Sequence, residues 1–322
     1  MRVLFIGGTG IISSACSPLA IEQGIDLYLL NRSKSSRPAP AGAKVLNGDI
    51  RDPDSVRNAI GDLTFDAVVD WIAFTVPHIE TDLELFRGRT GQFVFISSAS
   101  AYQSPPSTLP VTESTILDNP FWEYSRNKIA CEERLVRAYR EEKFPMTIVR
   151  PSHTYDKTLL PFDGGYTVLK RMLDGKPVVV HGDGTSIWVL THHRDYARAF
   201  VPLLGNSHAI GEAYHITSDE WITWNQIFDC VADAAGVKAN KVHVPSDAIA
   251  KVRPHQGPGL LGDKANSMMF DNSKIKRLAG GWEAKIPFCH GAREIIEHLK
   301  EHPGKVDEEW NRQDDELIAK YG

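Results

Sequence analysis

The chain has few cysteines, no excess of positive charge and no long apolar run. Its cysteines lie far apart and form no C-x-x-C pair, which disfavours a zinc knuckle or a dense disulfide framework; they are Cys16, Cys131, Cys230 and Cys289. We therefore expect reduced, mostly buried thiols. A net charge of -5 and a pI near 6.2 disfavour nucleic acid and anionic membranes as partners. No apolar run approaches the roughly 18 residues of a membrane span. Because nucleic acid and anionic membranes are disfavoured, a small molecule is the expected partner.

The first residues bear on location. Gly7 follows directly on the apolar run of residues 3–6, which leaves no room for the regions of a secretory signal peptide. The expected location is the cytoplasm.

Short apolar runs rich in β-branched residues alternate with helix-period segments in the first half of the chain. The predicted strands are residues 3–6, 27–30, 44–46, 67–69, 93–96 and 147–149, and the predicted helices are 11–23, 53–60, 78–87 and 121–142. Strands separated by helices need crossover connections, which give a parallel sheet covered on both faces. The sequence therefore predicts an α/β protein with a doubly wound, Rossmann-type parallel sheet.

After Pro151 the alternation loosens, and glycine and proline punctuate the chain. We expect a dinucleotide-binding domain over residues 1–157, to which 190–217 return, and a smaller C-terminal substrate-binding lobe from 158–189 and 218–322. Residues 104–120, rich in Pro, Ser and Thr, predict an exposed loop near the carboxyl edge of the sheet. The charged segment 308–320 predicts a helix with a solvated face.

A glycine-rich turn follows the first predicted strand and opens a helix. Glycines in this position let a pyrophosphate approach the amides of the helix N-terminus, where the helix dipole favours negative charge. The predicted ligands in this turn are Gly7, Thr9, Gly10, Ile11 and Ile12. A tight turn without a ligand is the alternative. Ser13 stands where the pattern has its third glycine, which predicts a slightly displaced first helix.

The end of the second predicted strand bears on the choice of dinucleotide. A site for NAD usually places a carboxylate there, whereas a site for NADP offers cations and small donors to the 2′-phosphate. This chain has no carboxylate there but has Asn31, Arg32, Ser33 and Lys34, which favours NADP over NAD. A solvated basic loop is the alternative, because an asparagine alone can hold a ribose hydroxyl. Farther on, residues Asp49 and Ile50 are placed to flank the adenine.

A tyrosine and a lysine four residues apart begin a predicted amphipathic helix. This spacing puts the Tyr124 phenol and the Lys128 ammonium on one face, so the ammonium can lower the pKa of the phenol and help to hold a ribose. Ser98, after the fifth strand, is placed to donate a hydrogen bond to a reacting oxygen. By itself the Tyr–Lys pair is common; its combination with Ser98 and the glycine turn predicts chemistry.

Together these motifs resemble the extended short-chain dehydrogenase/reductases, the group of nucleotide-sugar epimerases and dehydratases. The resemblance includes Arg150 and Pro151 after the sixth strand and residues 182–185 and 192–197 in the second half. It implies that Tyr124 is the catalytic acid/base, Lys128 its partner and Ser98 the hydroxyl bonded to the substrate oxygen. It also implies that the cofactor is lined by Trp71, Ile72, Ala73, Pro151 and His153, and that the protein is a homodimer.

Departures from the family pattern bear on the reaction. The 4,6-dehydratases of this family carry Thr-Asp-Glu where this chain has Ser98-Ala99-Ser100, so elimination of water is not expected. An arginine that binds the diphosphate in many relatives aligns with Trp188, which favours a smaller or uncharged carbohydrate. Adjacent histidines point in different directions, so no metal site is expected at His192 and His193.

The combined prediction is an NAD(P)-dependent epimerase or oxidoreductase that transfers a hydride at a C–OH or C=O group, on a carbohydrate-like substrate. The alternatives are an NADPH-dependent carbonyl reductase of a non-sugar substrate, or a relative without catalysis that senses nucleotides or binds RNA. The acidic charge and the complete Ser98, Tyr124 and Lys128 set argue against the last alternative.

Overall fold

The computed structural model describes residues 1–32 and 37–322. Within these ranges the strands are β1 (Arg2–Ile6), β2 (Asp26–Asn31), β3 (Lys44–Asn47), β4 (Ala67–Asp70), β5 (Phe93–Ile96), β6 (Met146–Pro151), β7 (His153–Tyr155), β8 (Val178–His181), β9 (Ile187–Trp188), β10 (Leu190–His192), β11 (Ala213–Ile216), β12 (Ile222–Thr223) and β13 (Lys241–Val244). The helices are α1 (Ser13–Glu22), α2 (Pro53–Ile60), α3 (Val76–Phe86), α4 (Glu123–Glu142), α5 (Gly165–Leu173), α6 (His193–Phe200), α7 (Trp224–Ala234), α8 (Ser246–Val252), α9 (Gly257–Gly259), α10 (Ser273–Leu278), α11 (Phe288–Glu301) and α12 (Glu308–Tyr321).

The central sheet is parallel and has the order β11-β6-β5-β4-β1-β2-β3. Successive side chains of a strand point to opposite faces. In β1, Val3 and Phe5 enter a core with α1 and α6, whereas Leu4 and Ile6 enter a core with α2, α3 and α4. The prediction of a doubly wound parallel sheet is therefore confirmed. Because all pairings are parallel, the carboxyl ends of the strands meet at one edge, where the site is built.

A separate core lies among α5, α7, α11 and β8. Here the prediction of four reduced thiols is wrong, because Cys230 on α7 and Cys289 on α11 form a disulfide. Sequence spacing did not reveal it, since 59 residues separate two cysteines whose Cα atoms lie 4.9 Å apart in the fold. Cys16 and Cys131 are free and buried.

The C-terminal helix α12 is charged as predicted, but it is not solvated on all sides. Asp314 and Leu317 are buried, and Asp314 accepts a hydrogen bond from the buried Arg253 at 2.8 Å. Arg171 on α5 pairs with Asp315 at 2.7 Å. Through these ion pairs with Arg253 and Arg171, α12 is attached to earlier segments in the second half of the chain. Among the described helices, none combines the length and apolarity that crossing a membrane requires.

Candidate active site

The glycine-rich turn connects β1 to α1. Gly7 and Gly8 have φ angles of 99° and 90°, which side chains of L-residues rarely adopt. A Cβ on Gly7 would lie 3.4 Å from Ile72 Cγ2, within the groove beside the turn. Ser13, in the third glycine position, is buried, and its Oγ accepts a hydrogen bond from the Gly10 amide at 2.8 Å. The hydroxyl is thus accommodated by the turn itself, and displacement of the helix stays a prediction.

A cavity of about 400 Å³ lies beside this turn. Of the predicted cofactor residues, it is lined by Gly7, Thr9, Asn31, Arg32, Asp49, Ile50 and Ile72. Arg32 Nη1 lies 3.7 Å from Asp49 Oδ2, and the Arg32 side chain is 60% exposed. The predicted residues Ser33 and Lys34 lie outside the described part of the chain. Sequence reasoning missed Arg51, which lines the same cavity and donates a hydrogen bond to the Ile72 carbonyl.

A second cavity, of about 450 Å³, holds the predicted catalytic residues. It is lined by Ser98, Tyr124 and Lys128, and by the predicted cofactor residues Ile12, Trp71, Pro151 and His153. Phe74 is part of the wall of both cavities, which places them side by side. The other predicted residues, Gly10, Ile11 and Ala73, do not line either cavity, and the buried Ala73 contributes its carbonyl oxygen instead.

Tyr124 lies in the first turn of α4. Burial raises the pKa of its phenol, as does the charge of Asp263, while the hydrogen bond with Ser98 lowers it. The prediction that Lys128 lowers the pKa of Tyr124 is therefore wrong. Burial outweighs the hydrogen bond, and the ammonium of Lys128 is engaged elsewhere. The phenol keeps its proton at neutral pH.

Lys128 is buried one helical turn after Tyr124. Its Nζ donates to the carbonyl oxygens of Ala73 and Ile96 at 2.6 and 2.8 Å, and it lies 5.8 Å from the centre of the Tyr124 ring. Burial lowers the pKa of Lys128 to about 8, although the nearby Asp70 charge opposes this. The lysine thus joins the segment after β4 to the end of β5.

The segment after β4 is fixed by two buried carboxyls. Asp70 Oδ1 accepts hydrogen bonds from the amides of Ile72 and Ala73 at 2.6 and 2.8 Å. Asp82 on α3 faces Asp70, and burial raises the pKa of both carboxyls, with the Asp70 charge raising that of Asp82 further. Two buried carboxyls in contact hold a proton between them because both cannot ionise. This pair positions the backbone that receives Lys128.

A chain of hydroxyls supports Ser98. Ser125 Oγ, on α4, donates to Ser100 Oγ at 2.8 Å, and Ser100 Oγ lies 2.9 Å from Ser98 Oγ. Ser98 also caps the short 3₁₀ turn Ala99–Ala101, because its Oγ accepts from the Ser100 amide. The Ser98 hydroxyl is therefore aimed by its neighbours and by the Tyr124 phenol.

Asn119 connects three parts of the site. Its Nδ2 donates to the carbonyls of Ser100 and Gly262 at 2.9 and 2.8 Å, and its Oδ1 accepts from the amides of Phe121 and Trp122. The serine turn, the start of α4 and the segment that carries Asp263 are thereby held together. Sequence reasoning missed Asn119, Ser125 and Asp263. Asn119 and Ser125 lie close in sequence to the Tyr124–Lys128 motif, which is the only signal that could have identified them. The sequence held no signal for Asp263.

A buried ion pair anchors α4 to the sheet. Arg150 on β6 contacts Glu132 through Nε at 2.9 Å and through Nη2 at 2.6 Å, and both side chains are buried. This two-point geometry fixes the helix relative to the strand end. Because Tyr124 lies on α4 and Pro151 on β6, the ion pair also fixes Tyr124 relative to Pro151.

His153 and Trp188 form another part of the wall, with ring centres 6.4 Å apart. Burial lowers the pKa of His153 to about 4, so the imidazole is neutral. Its Nε2 and the Trp188 Nε1 are buried polar atoms that make no hydrogen bond to the described residues. A buried polar atom without a partner is unfavourable, and a ligand in the cavity would supply one.

The residues present fit a nicotinamide dinucleotide. Gly7 borders the adjoining cavity without a side chain, and polar and charged side chains line the same cavity. The buried Trp71 Nε1 and His153 Nε2 have no partner within the described ranges, and both residues line the cavity of Tyr124. A long ligand that spans the two cavities matches this arrangement.

Comparisons with known proteins agree with this geometry. The sequence pattern of the NAD dependent epimerase/dehydratase family matches residues 3–217. The chain is similar to 2′-dehydrokanamycin reductase of Streptomyces kanamyceticus, at 26% identity over 88% of this chain and 81% of the relative. It is similar to a UDP-glucose 4-epimerase of Lactobacillus helveticus, at 30% identity over 88% of this chain and 92% of the relative.

A solved structure has the same fold. It is a UDP-glucuronic acid 4-epimerase from Bacillus cereus in complex with UDP-glucuronic acid and NAD, and it superposes with a TM-score of 0.75. The superposition covers 94% of this chain and 100% of the other, at 18% sequence identity.

Proposed function

This chain belongs to the NAD-dependent epimerase/dehydratase family, and we propose that it reduces a carbonyl group of a carbohydrate-like substrate with a nicotinamide dinucleotide as cofactor. It is an enzyme of the extended short-chain type, in the class of sugar epimerases and oxidoreductases. The observation that carries the proposal is one cavity that contains Tyr124, its hydrogen-bond partner Ser98 and the buried Lys128.

The cofactor supplies the hydride that the substrate carbon receives. Tyr124 donates its phenolic proton to the substrate oxygen, so that the carbonyl becomes a hydroxyl with one hydride and one proton added. Ser98 donates a hydrogen bond to the same oxygen and orients it. Lys128 would hold the cofactor ribose, and the glycine turn would bind the pyrophosphate through backbone amides.

The Tyr124 phenol suits hydride transfer in either direction, because it donates a proton in reduction and accepts one, as a phenolate, in oxidation. The similarity to 2′-dehydrokanamycin reductase favours net reduction. An epimerase, which begins with oxidation and then reverses it, is the second candidate, and the epimerase relative supports it.

The favoured cofactor is NADP. Asn31 at the end of β2 and the exposed cation Arg32 after it border the adjoining cavity, and neither is a carboxylate that could hold a ribose hydroxyl. A 2′-phosphate would compete with Asp49 for this guanidinium, since the existing separation of 3.7 Å is long for an ion pair on the surface.

The favoured substrate lacks a nucleotide diphosphate. Trp188, in the position of the diphosphate-binding arginine of many relatives, is buried in the cavity wall and offers an indole N–H in place of a cation. Residues 158–189 and 218–322 are proposed to be the substrate-binding lobe, because Trp188, Asp263 and Phe270 from these segments line the cavity of Tyr124.

A homodimer formed through α4 is also proposed, and the exposed aromatic ring of Tyr139 on that helix supports it. A cytoplasmic location stays a prediction. The Cys230–Cys289 disulfide is in tension with it, because stable disulfides are rare in that compartment.

The cofactor content of freshly purified protein tests the direction of the reaction. A reductase exchanges its cofactor at every turnover, so we expect an empty site that binds NADPH and then oxidises it when keto sugars are added. Stoichiometric NAD that survives purification, with interconversion of sugar epimers and no net oxidation, would establish the epimerase instead.

A further inference from the structure

Asp263 lies on the wall of the cavity that contains Tyr124. In the sequence it follows Ser98, Tyr124 and Lys128, the groups assigned to the reaction, by 135 residues or more. It belongs to the π-helical turn Leu260–Lys264 that follows α9. Such turns are rare and are found frequently at functional sites, because they redirect side chains from a regular helix. Asp263 and Lys264 both line the cavity as a result.

The position of Asp263 is fixed by its neighbours. The carbonyl of Gly262 accepts the 2.8 Å hydrogen bond from Asn119, which also holds the Ser100 carbonyl. A side chain at Gly262 would place its Cβ 2.8 Å from Asn119 Oδ1. This close approach of Asn119 favours glycine at position 262 and holds in place the segment that carries the Asp263 carboxyl.

Asp263 lies among charged groups of the same cavity. Lys128 is held by two carbonyl oxygens. Lys264 Nζ lies 3.6 Å from Asp163, and it lies 5.9 and 6.0 Å from the ring centres of Trp122 and Trp188. In the part of the chain that the structure describes, the Asp263 carboxyl has no hydrogen bond and no ion-pair partner within 4.0 Å. Burial raises its pKa to about 7, although the charge of Lys264 opposes this rise.

We propose that Asp263 is a specificity-determining residue, whose carboxylate binds a protonated amine of the substrate sugar; this rests on the proposed function for the carbohydrate nature of the substrate. The Asp263 side chain is half-buried. A partly desolvated carboxylate without a direct partner is stabilised by a cationic group of the ligand. The ring faces of Trp122 and Trp188 add favourable contacts for the apolar side of a sugar and for a cation.

Calorimetric titration of the protein saturated with NADP⁺ tests this. The probes are glucose and the positional isomers of amino-glucose, each with one hydroxyl replaced by an amine. With the wild type at neutral pH, we expect at least one amino-glucose to bind about 10-fold or more tightly than glucose, as for a hydrogen bond between charged groups. In Asp263→Asn this preference should fall below about 3-fold.

Two further variants make the result specific. Asp247→Asn removes a carboxylate that is 68% exposed, and it should keep the preference of the wild type. Asp263→Ser, a second way to remove the charge, should lose it. NADP⁺ affinity is measured for all variants and should not change, which verifies that the fold is intact.

The proposal is overturned if the wild type prefers no amino-glucose, or if the preference survives in both Asp263 variants. Turnover of a neutral keto sugar without an amine preference would remove this proposal and leave the reductase function standing. A preference for an amino-glucose without any hydride transfer to a keto sugar would leave this proposal standing and remove the reductase function.

Discussion

The ammonium of Lys128 lies 5.8 Å from the centre of the Tyr124 ring, and its hydrogen bonds go to backbone carbonyls and not to the phenol. The lysine therefore acts first on the backbone, where it ties the segment after β4 to the end of β5. The tyrosine in turn is left with a raised pKa and a proton to donate. This division of roles leads to the predictions below.

Tyr124→Phe removes the proposed proton donor and little else. We expect NADPH-dependent reduction of keto sugars to fall at least about 100-fold, the lower end of what general acid catalysis contributes. The melting temperature and NADPH affinity should stay close to the wild-type values. Tyr139→Phe, at a 39% exposed position on the same helix, is the matched control and should retain full activity. Full activity in Tyr124→Phe would remove the enzymatic assignment of this residue.

The pH profile reports on Lys128. Its pKa is lowered to about 8, so the ammonium is present below that pH and is lost above it. Because the charged form donates to the backbone carbonyls and is proposed to hold the ribose, kcat/KM should decline as the pH rises through about 8. Lys128→Met should have lower activity and lack this decline. A decline that persists unchanged in Lys128→Met would assign it to another group.

The same shift affects stability with a definite sign. The pKa is about 8 in the folded protein and near 10.5 in the unfolded chain, so between these values the unfolded chain binds more protons. The contribution of Lys128 to the free energy of unfolding should therefore rise with pH in that interval. Urea unfolding of the wild type and Lys128→Met across it measures the difference, and a falling contribution would contradict the buried, desolvated ammonium.

Arg32 is predicted to determine the proposed preference for the phosphorylated cofactor. Arg32→Gln removes the cation that would pair with the 2′-phosphate, so NADPH should bind about 10-fold more weakly while NADH affinity stays within about 2-fold. Arg57→Gln, at another exposed arginine, is the control. Equal losses for both cofactors would show that the arginine contributes only to adenine or ribose binding.

Asn119 is predicted to be the residue that holds the site together. Asn119→Asp replaces the donor that serves the Ser100 and Gly262 carbonyls by an oxygen that repels them. We expect the free energy of unfolding to fall by about 3 kcal/mol, the scale of leaving two buried acceptors unpaired. Activity of the folded fraction should also fall. Asn206→Asp, at a less buried cap of a 3₁₀ turn, should change neither quantity appreciably, and an equally mild effect at Asn119 would contradict the role.

Local patterns were sufficient to predict six strands of the seven-stranded sheet that the structure describes, all except the edge strand β11. The alternation of apolar strands and amphipathic helices located α2 to the residue, because Asp52 caps it and Pro53 begins it. The ends of other helices were displaced by side-chain contacts, as at α1, which begins at Ser13 after the serine hydroxyl satisfies the turn. Propensity and periodicity do not contain such contacts.

The candidate site could be predicted only where a motif is local in sequence. Tyr124 and Lys128 are one helical turn apart, so their common face follows from the spacing. The bond from Asn119 to Gly262 joins positions 143 residues apart, and the disulfide joins positions 59 apart. Tertiary packing determines these contacts. The placement of Asp263 could not be inferred for the same reason.

Transfer of deuterium to a keto sugar from NADPH in which both hydrogens of nicotinamide C4 are deuterium tests the central claim most directly. The products are analysed by mass spectrometry and NMR over a panel of keto sugars without nucleotides. We predict one deuterium on the new carbinol carbon for each NADPH oxidised by the wild type, and almost no product with Tyr124→Phe. Oxidation of NADPH without deuterium in the sugar, or no reaction with any keto sugar, would contradict the assignment of this chain as a carbonyl reductase.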